Sequence, residues 1–332
     1  MAGENKKEIK RPFLRSGWGV LIGLSVGVVS AFSNTCIALA QVGGASQYQV
    51  SFFKGLGGAL FLTVVLMCKG IKFIPESLRD KIIVSLNALI NAVSGLGLVY
   101  ALPRAPSGNV ITILHGTLPV FTPLFACICL KERWRCIDAV STIIDIAGII
   151  LIAKPEFIFG SDSTAASSPD EAFAYLTVTL AAMGLSSNYV FGRWVGPSVH
   201  PLTTSFYVEI FVTLVNAILM YAISSPTWML AWYVWLEVAA VCVLGTYEDV
   251  GRYRSLQLEA APTVVLLGSI QIIILYILDL TALDADVDEL DLIGAALILI
   301  STVFVTVMSW RSNFKRNETQ PEEEMHILAD KN

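Results

Sequence analysis

Residues 33–52 read SNTCIALAQVGGASQYQVSF, and residues 187–206 read SNYVFGRWVGPSVHPLTTSF. Both stretches begin with Ser-Asn and end with Ser-Phe, and the second begins 154 residues after the first. Two further pairs keep this interval, namely Gly97 with Gly251 and Leu102 with Leu256. Matches that stay in register over this distance predict a duplicated unit of about 150 residues, an internal symmetry common in secondary transporters.

The composition indicates that this duplicated unit lies in a membrane. The chain has 55% hydrophobic and 15% charged residues, whereas soluble domains are about one-quarter charged. A helix needs about 20 mainly apolar residues to cross about 30 Å of hydrocarbon. Ten such spans are predicted, at 18–40, 48–67, 82–102, 108–130, 137–153, 172–194, 203–224, 231–254, 262–280 and 291–310.

The basic residues fix the orientation of these spans. With the N-terminus in the cytosol, all but three of the 22 lysine and arginine residues fall on the cytosolic side. Arg104 and Lys154 fall outside, and Lys54 lies within a span. The positive-inside rule therefore predicts that both termini are cytosolic.

Five spans in each half require the second copy to enter the membrane in the opposite orientation. The loops agree, because residues 131–135 read KERWR, whereas the corresponding loop at 284–291 is acidic. The predicted fold is an all-α integral membrane protein with ten transmembrane helices in two inverted five-helix repeats. The predicted regions are a basic cytosolic tail at 1–17, repeats at 18–154 and 172–310, an external linker at 155–171 and a disordered cytosolic tail at 311–332.

Two stretches carry a family resemblance. Residues 101–160 read ALPRAPSGNVITILHGTLPVFTPLFACICLKERWRCIDAVSTIIDIAGIILIAKPEFIFG, with an Ala-Pro loop, a mid-span Pro-Val-Phe, a Leu-Lys-Glu end and a final Lys-Pro. Residues 255–273 read SLQLEAAPTVVLLGSIQII and repeat the pattern more loosely. The chain resembles the EamA-type drug/metabolite transporter superfamily over about residues 15–312, and it is most similar to the G-type members of solute carrier family 35.

This resemblance implies a transporter fold, with spans one to four and six to nine around a central cavity. Asp145, in the fifth span, is then expected to be a buried group bonded to a neighbour. The acidic loop at 284–291 departs from the family pattern. A solvated loop is the favoured interpretation of it, and a cation-binding or anion-repelling mouth is the alternative.

Lys54 is the first candidate for contact with substrate. It stands where EamA-type repeats often carry Arg, and a cation facing a cavity would attract an anionic metabolite. By helical rise it lies about 9 Å from the outer end of its span. A Lys stem can snorkel that far, so snorkelling is an equal alternative.

Three further polar residues are substrate-binding candidates. His115 lies in a span that Pro119 and Pro123 are expected to kink, and histidine can relay a proton near neutral pH. A neutral, hydrogen-bonded packing role is the commoner alternative for it. Asn34 and Asn188 are equivalent positions of the two repeats, and interhelical bonding is their alternative role.

Ionisable residues in the second half suggest a gate or an ion pair. Glu248 and Arg252 are spaced i, i+4, so they share a helical face and can pair. Glu209 is a further ionisable group within a span and is assigned to the same class.

The predicted function is secondary transport of a small organic metabolite by alternating access at the repeat interface, and Lys54 makes an anion one candidate. The alternatives are a nucleotide-sugar transporter and a non-transporting regulator that binds partners. The sequence shows no enzyme, cofactor, metal or nucleic-acid motif. The expected partners are the substrate and the lipid bilayer, and a homodimer stays open. The plasma membrane is the first expectation, with the endoplasmic reticulum, Golgi or endosomal membrane as the alternative.

Overall fold

A computed structural model of the protein describes residues 18–101, 104, 107–131, 136–153, 158, 169–196, 198–282, 289–290, 293–308 and 311. The predicted tails, most of the predicted linker at 155–171 and most of the acidic loop at 284–291 lie outside these residues.

The regular structure of the described residues is helical. The helices are α1 Trp18–Val42, α2 Gln47–Lys69, α3 Leu78–Ala101, α4 Ser107–Phe125, α5 Cys136–Ala153, α6 Pro169–Val195, α7 Pro201–Ala222, α8 Trp232–Leu258, α9 Ala261–Gly268, α10 Ile270–Ala282 and α11 Ile293–Met308. The predicted all-α class is confirmed. Each predicted span overlaps at least one of these helices.

Length and apolar composition separate these helices into two groups. Four helical segments are long and apolar enough to cross a membrane, namely Trp18–Val42, Gln47–Lys69, Ile113–Leu130 and Pro201–Ala222. Ala261–Leu275 and Ile293–Met308 are shorter apolar segments. Exposed Leu, Ile, Val and Phe side chains on the outer faces of α1, α2 and α7 suit a lipid environment.

Two spans are not uninterrupted α-helices; the ninth was expected to be continuous, whereas prolines were expected to kink the fourth. The ninth span is interrupted at Ser269, which separates α9 from α10. At the end of α4, a π-helical turn at Ala126–Leu130 follows Pro119 and Pro123. Proline removes a backbone donor, and short π-helical turns often occur at functional sites.

Residues at the two ends of α2 fix its position. Ser46 caps the first turn by accepting from the Gln49 amide at 3.2 Å, and Gly70 ends the helix in a left-handed conformation with φ of 62°. The buried Gln49 side chain donates to the Thr227 carbonyl at 2.8 Å and accepts from its amide at 3.2 Å. The start of α2 is therefore fastened to the loop before α8.

Small residues on α1 bring it close to the second half of the chain. A Cβ atom at Gly19 would lie 2.7 Å from Leu258 Cβ, and one at Gly23 would lie 2.9 Å from Leu267 Cδ1. A Cβ at Gly27 would overlap Ile270. Gly19, Gly23 and Gly27, spaced four residues apart, therefore form a close-packing face along α1.

Candidate functional site

Glycines on α2 and α8 create the space for the candidate site. A Cβ atom at Gly55 would lie 2.9 Å from the Glu209 carbonyl oxygen, and one at Gly58 would lie 2.7 Å from the Glu209 carboxyl carbon. A Cβ at Gly245 would overlap the stem of Lys54. Because these glycines have no side chains, the side chains of Lys54 and Glu209 fit between closely packed helices.

Five charged residues meet in this space, and we call them the charge cluster. They come from α2, α7 and α8, and they are Lys54, Glu209, Glu248, Asp249 and Arg252. Lys54 Nζ lies 3.0 Å from Asp249 Oδ2. Arg252 Nη1 lies 3.3 Å from Asp249 Oδ1, and Arg252 also pairs with Glu248. Asp249 therefore joins two cations, one from each half of the chain.

Glu209 is the exception in the charge cluster. It is fully buried, and neither of its carboxyl oxygens has a hydrogen-bond partner among the described residues. Across Gly58 its carboxyl group lies beside Thr246, about one helical turn before Asp249. A hydrogen bond between the carboxyl groups of Glu209 and Asp249 requires that one of them is protonated. Two ionised carboxylates are both acceptors, so they cannot form that bond.

Exposure differs between Asp249 and the two cations that it joins, while the side chain of Glu248 is 16% exposed. The side chains of Lys54 and Arg252 are 20% and 14% exposed, whereas that of Asp249 is 3% exposed. A ligand that enters the charge cluster can therefore contact the cations more readily than Asp249. The ring of Tyr189 faces Arg252 at 5.8 Å and extends this surface.

A neutral polar network involves the helix that carries Asp249 and Arg252. Asn188 Nδ2 donates to Asn87 Oδ1 at 2.9 Å and to the Tyr253 hydroxyl at 3.1 Å. Asn87 Nδ2 also donates to the Tyr253 hydroxyl, at 3.0 Å. All three side chains are buried, so the network ties α3, α6 and α8 together. For Asn188 this geometry favours the interhelical alternative.

The other predicted residues lie apart from this cluster in their contacts. His115 Nδ1 is 3.5 Å from Gln271 Nε2, which links α4 to α10. Asn34 lies on an exposed face of α1. Asp145 accepts from the Ser269 hydroxyl at 2.6 Å, which confirms the prediction that it is buried and bonded to a neighbour.

The structure thus brings together Lys54 with Glu209, Glu248 and Arg252. It adds Asp249, an acidic residue inside a span, which is itself a recognisable signal. Asn87 and Tyr253 carry a weaker signal, because single Asn and Tyr residues are common in membrane helices. Lys54 does not snorkel to water in this arrangement, since its ammonium is paired with Asp249.

Comparisons with known proteins agree with the fold and the class of protein. Residues 17–154 match the EamA-like transporter family. A solved crystal structure with 16% sequence identity superposes with a TM-score of 0.71, covering 88% of this chain and 98% of that chain. At this identity the structural likeness shows the fold alone. The apolar helices and the match to the transporter family support a multi-pass membrane protein.

Two mammalian relatives narrow the class. Solute carrier family 35 member G1 of Mus musculus is 27% identical over 304 residues, covering 89% of this chain and 80% of the relative. The Homo sapiens protein of the same name is 26% identical, with 89% and 81% covered. The predicted resemblance to EamA-type transporters and to G-type members of solute carrier family 35 is confirmed, and it supports a membrane transporter.

Proposed function

We propose that this protein is a secondary transporter that carries a small anionic organic metabolite by alternating access between its two halves. The observation that carries the proposal is the charge cluster, in which Lys54 of the first half meets Asp249 of the second at 3.0 Å. Sites of this kind at repeat interfaces are where such transporters bind their substrates.

Helix packing supports the inverted repeat. If α1 corresponds to α6 and α3 to α8, then the contacts of α1 with α8 and of α3 with α6 are equivalent, and both are present. Equivalent residues also touch each other, as expected near a two-fold axis. Gly55 packs against Glu209, which follows it by 154 residues. His115 approaches Gln271, 156 residues later, an interval that Ala105-Pro106 and Ala261-Pro262 share.

Ten spans follow from this repeat, with α9 and α10 together forming the ninth span and α11 the tenth. The repeats then occupy residues 18–154 and 172–310, and both termini lie in the cytosol. Tags at the termini should be accessible only from the cytosol, and a cysteine replacing Ser163 in the linker should be labelled from outside. External labelling of either terminus contradicts the inverted topology.

Energetics favour a binding role over a structural role for the charge cluster. A charged side chain at the centre of a membrane helix costs about 2.5–3.5 kcal/mol on insertion scales. Well-packed apolar side chains often replace a buried ion pair without loss of stability. Five ionisable groups between α2, α7 and α8 are therefore a poor way to hold these helices together, and substrate binding gives them a purpose.

The two cations are more exposed than Asp249, the carboxylate that they share, and this supports an anionic substrate; Glu248, 16% exposed, is the carboxyl group of the charge cluster that also reaches the surface. Lys54 and Arg252 keep exposed surface, while Glu209 and Asp249 are buried. An anion at the two cations gains more in this low-dielectric site than it would in water. A nucleotide sugar fits this site less well than a singly charged anion. Its diphosphate carries two negative charges, and Lys54 and Arg252 are already paired with Asp249.

Flux through purified protein in liposomes tests the proposal. The panel consists of labelled monocarboxylates, dicarboxylates, phosphate esters, nucleotide sugars, neutral sugars and amines. We expect uptake of an anion that falls severely in Lys54→Met and is partly retained in Lys54→Arg. Glu237→Gln, which removes a carboxyl elsewhere on α8, is the matched control and should transport normally.

Three outcomes would contradict the proposal. Uptake of neutral or cationic compounds alone would exclude an anionic substrate. Normal affinity and turnover in Lys54→Met would move the search to Asn34, His115 and Asn188. If neither the wild-type protein nor the variants of the charge cluster transport any compound of the panel, the protein acts as a partner-binding regulator.

Imaging of the tagged protein tests the plasma membrane as its location, with internal membranes as the alternative.

A further inference from the structure

Glu209 lies in a position that the transport of an anion does not by itself explain. It is fully buried, its two carboxyl oxygens have no hydrogen-bond partner among the described residues, and it points into the charge cluster across Gly58. The charged and titratable groups that face it are Lys54 from α2 and Cys242, Glu248 and Asp249 from α8.

An ionised Glu209 is costly in this place. A buried carboxylate without hydrogen bonds loses its hydration without replacement. Lys54, the nearest cation, is already paired with Asp249 at 3.0 Å. Two neighbouring carboxyl groups that cannot both ionise behave as one titrating unit with a shared proton.

We propose that Glu209 and Asp249 hold one exchangeable proton between them, and that this proton is bound and carried together with the anionic substrate. The step is a simple transfer. A hydronium ion in the aqueous phase gives its proton to a carboxylate oxygen, an O–H bond forms and water is left. Glu209, once protonated, then donates to Asp249, so its carboxyl group gains a hydrogen bond that it lacks when ionised.

Charge balance connects the proton to the substrate. With every group ionised, the charge cluster has three carboxylates and two cations, so it repels a further anion. One bound proton brings the cluster to neutrality and makes the exposed surfaces of Lys54 and Arg252 more attractive to an anion. Binding of each therefore favours binding of the other. The coupling rests on the proposed anionic substrate, whereas the proton site itself does not.

Infrared spectroscopy of the purified protein tests the proton site without any substrate. In pH-difference spectra we expect a carbonyl-stretch band of a protonated carboxyl group that disappears as the pH rises. The band should be missing in Glu209→Gln, shifted in Glu209→Asp and retained in Asp145→Asn, which removes a buried carboxyl group outside the charge cluster, the one to which Ser269 donates. Retention of the same titrating band in correctly folded Glu209→Gln or Glu209→Asp overturns the proton site.

Flux measurements test the coupling separately. Wild-type vesicles that contain the pH-sensitive dye pyranine should acidify as an anion from the panel enters. Uptake should fall by up to about tenfold for each unit that the external pH is raised, the limit for one linked proton. Glu209→Gln should remove this pH dependence. Anion uptake without acidification overturns the coupling and leaves the proposed function standing. If no anion enters while the band titrates at Glu209, both the coupling and the anionic substrate are refuted.

Discussion

Gly97 on α3 and Gly251 on α8 occupy equivalent places in the two halves of the chain, and both allow close helix packing. A Cβ atom at Gly97 would lie 2.7 Å from the Thr177 carbonyl oxygen of α6, and one at Gly251 would lie 2.5 Å from Val26 Cγ2 of α1. Other residues that are 154 positions apart differ in type between the two halves. Where the second half has a carboxyl group, the first has a small residue: Gly55 with Glu209, Ser94 with Glu248 and Gly95 with Asp249.

This difference separates two kinds of constraint. Packing is repeated, because each half must build the same crossings with the same backbone. Charge is concentrated on α7 and α8, and the first half contributes only Lys54 to the charge cluster. In the proposed repeat, the second half therefore carries the carboxyl groups of the charge cluster, and the first half supplies Lys54 as their counter-charge.

The largest expected effect comes from removing Asp249, because this leaves Lys54 buried without its carboxylate. We expect Asp249→Asn to lower the free energy of unfolding by about 3–5 kcal/mol. Adding Lys54→Met should restore most of this stability, since the unpaired charge is then gone. Thermal unfolding in detergent measures both. Equal stability of Asp249→Asn and wild type would show that the pair is not buried as the structure has it.

Gly97→Ala tests the repeated packing. The added methyl group meets the Thr177 carbonyl, which is backbone and cannot turn aside, so we expect a loss of about 1–3 kcal/mol. Gly251→Ala meets a Val26 side chain and should lose less. Gly95→Ala is the matched control two residues away, where a Cβ meets no atom within 4 Å. The order Gly97, Gly251, Gly95 is checked by unfolding, and a larger loss at Gly95 would contradict it.

Asn188 and Asn34 are equivalent in sequence but differ in surroundings. Asn188→Ala removes a donor to Asn87 and Tyr253 in a buried network, so we expect a loss of about 1–3 kcal/mol. Asn34→Ala changes an exposed position and should stay within about 0.5 kcal/mol of wild type. Comparable losses in unfolding experiments would mean that both asparagines are buried.

The smallest expected effect is at His200, in the turn that joins α6 to α7. Its Nδ1 accepts from the Leu202 amide at 3.3 Å, and burial, Arg254 and Lys69 lower its pKa. A histidine whose pKa is lower in the folded state than in the unfolded state stabilises the folded protein above the unfolded-state pKa. This stabilisation is lost as the pH falls below about 6.5. Melting temperatures at pH 7.5 and 5.5 should therefore differ slightly less in His200→Asn than in wild type. An equal difference in both proteins would remove His200 from this role.

More of the fold than of the candidate site could be predicted from the sequence. Apolar runs gave helices close to the observed ones, because membrane spans have a fixed minimum length; the first was expected at 18–40 and α1 is Trp18–Val42. The break at Ser269 was not predicted, and the hydrogen bond that Ser269 donates there to Asp145 joins two helices whose packing the sequence does not show. The stripe of Gly19, Gly23 and Gly27 was readable because its spacing matches the helical period.

Within the site, local pairs were predictable and distant ones were not. The pair of Glu248 and Arg252 follows from i, i+4 spacing on one helix. Lys54 and Asp249 are 195 residues apart, so their contact depends on how α2 packs against α8. The network of Asn87, Asn188 and Tyr253 likewise needs three helices in place before it exists.

Transport by the charge-neutral double variant Lys54→Met/Asp249→Asn tests the central claim most directly. The claim is that the charge cluster binds the substrate and is not only a clasp between α2 and α8. Flux of the anion panel is measured in liposomes that hold equal amounts of folded wild-type and variant protein. We predict that the variant unfolds near the wild-type temperature but loses anion transport. Transport at the wild-type rate would contradict this account and reduce Lys54 and Asp249 to a structural pair.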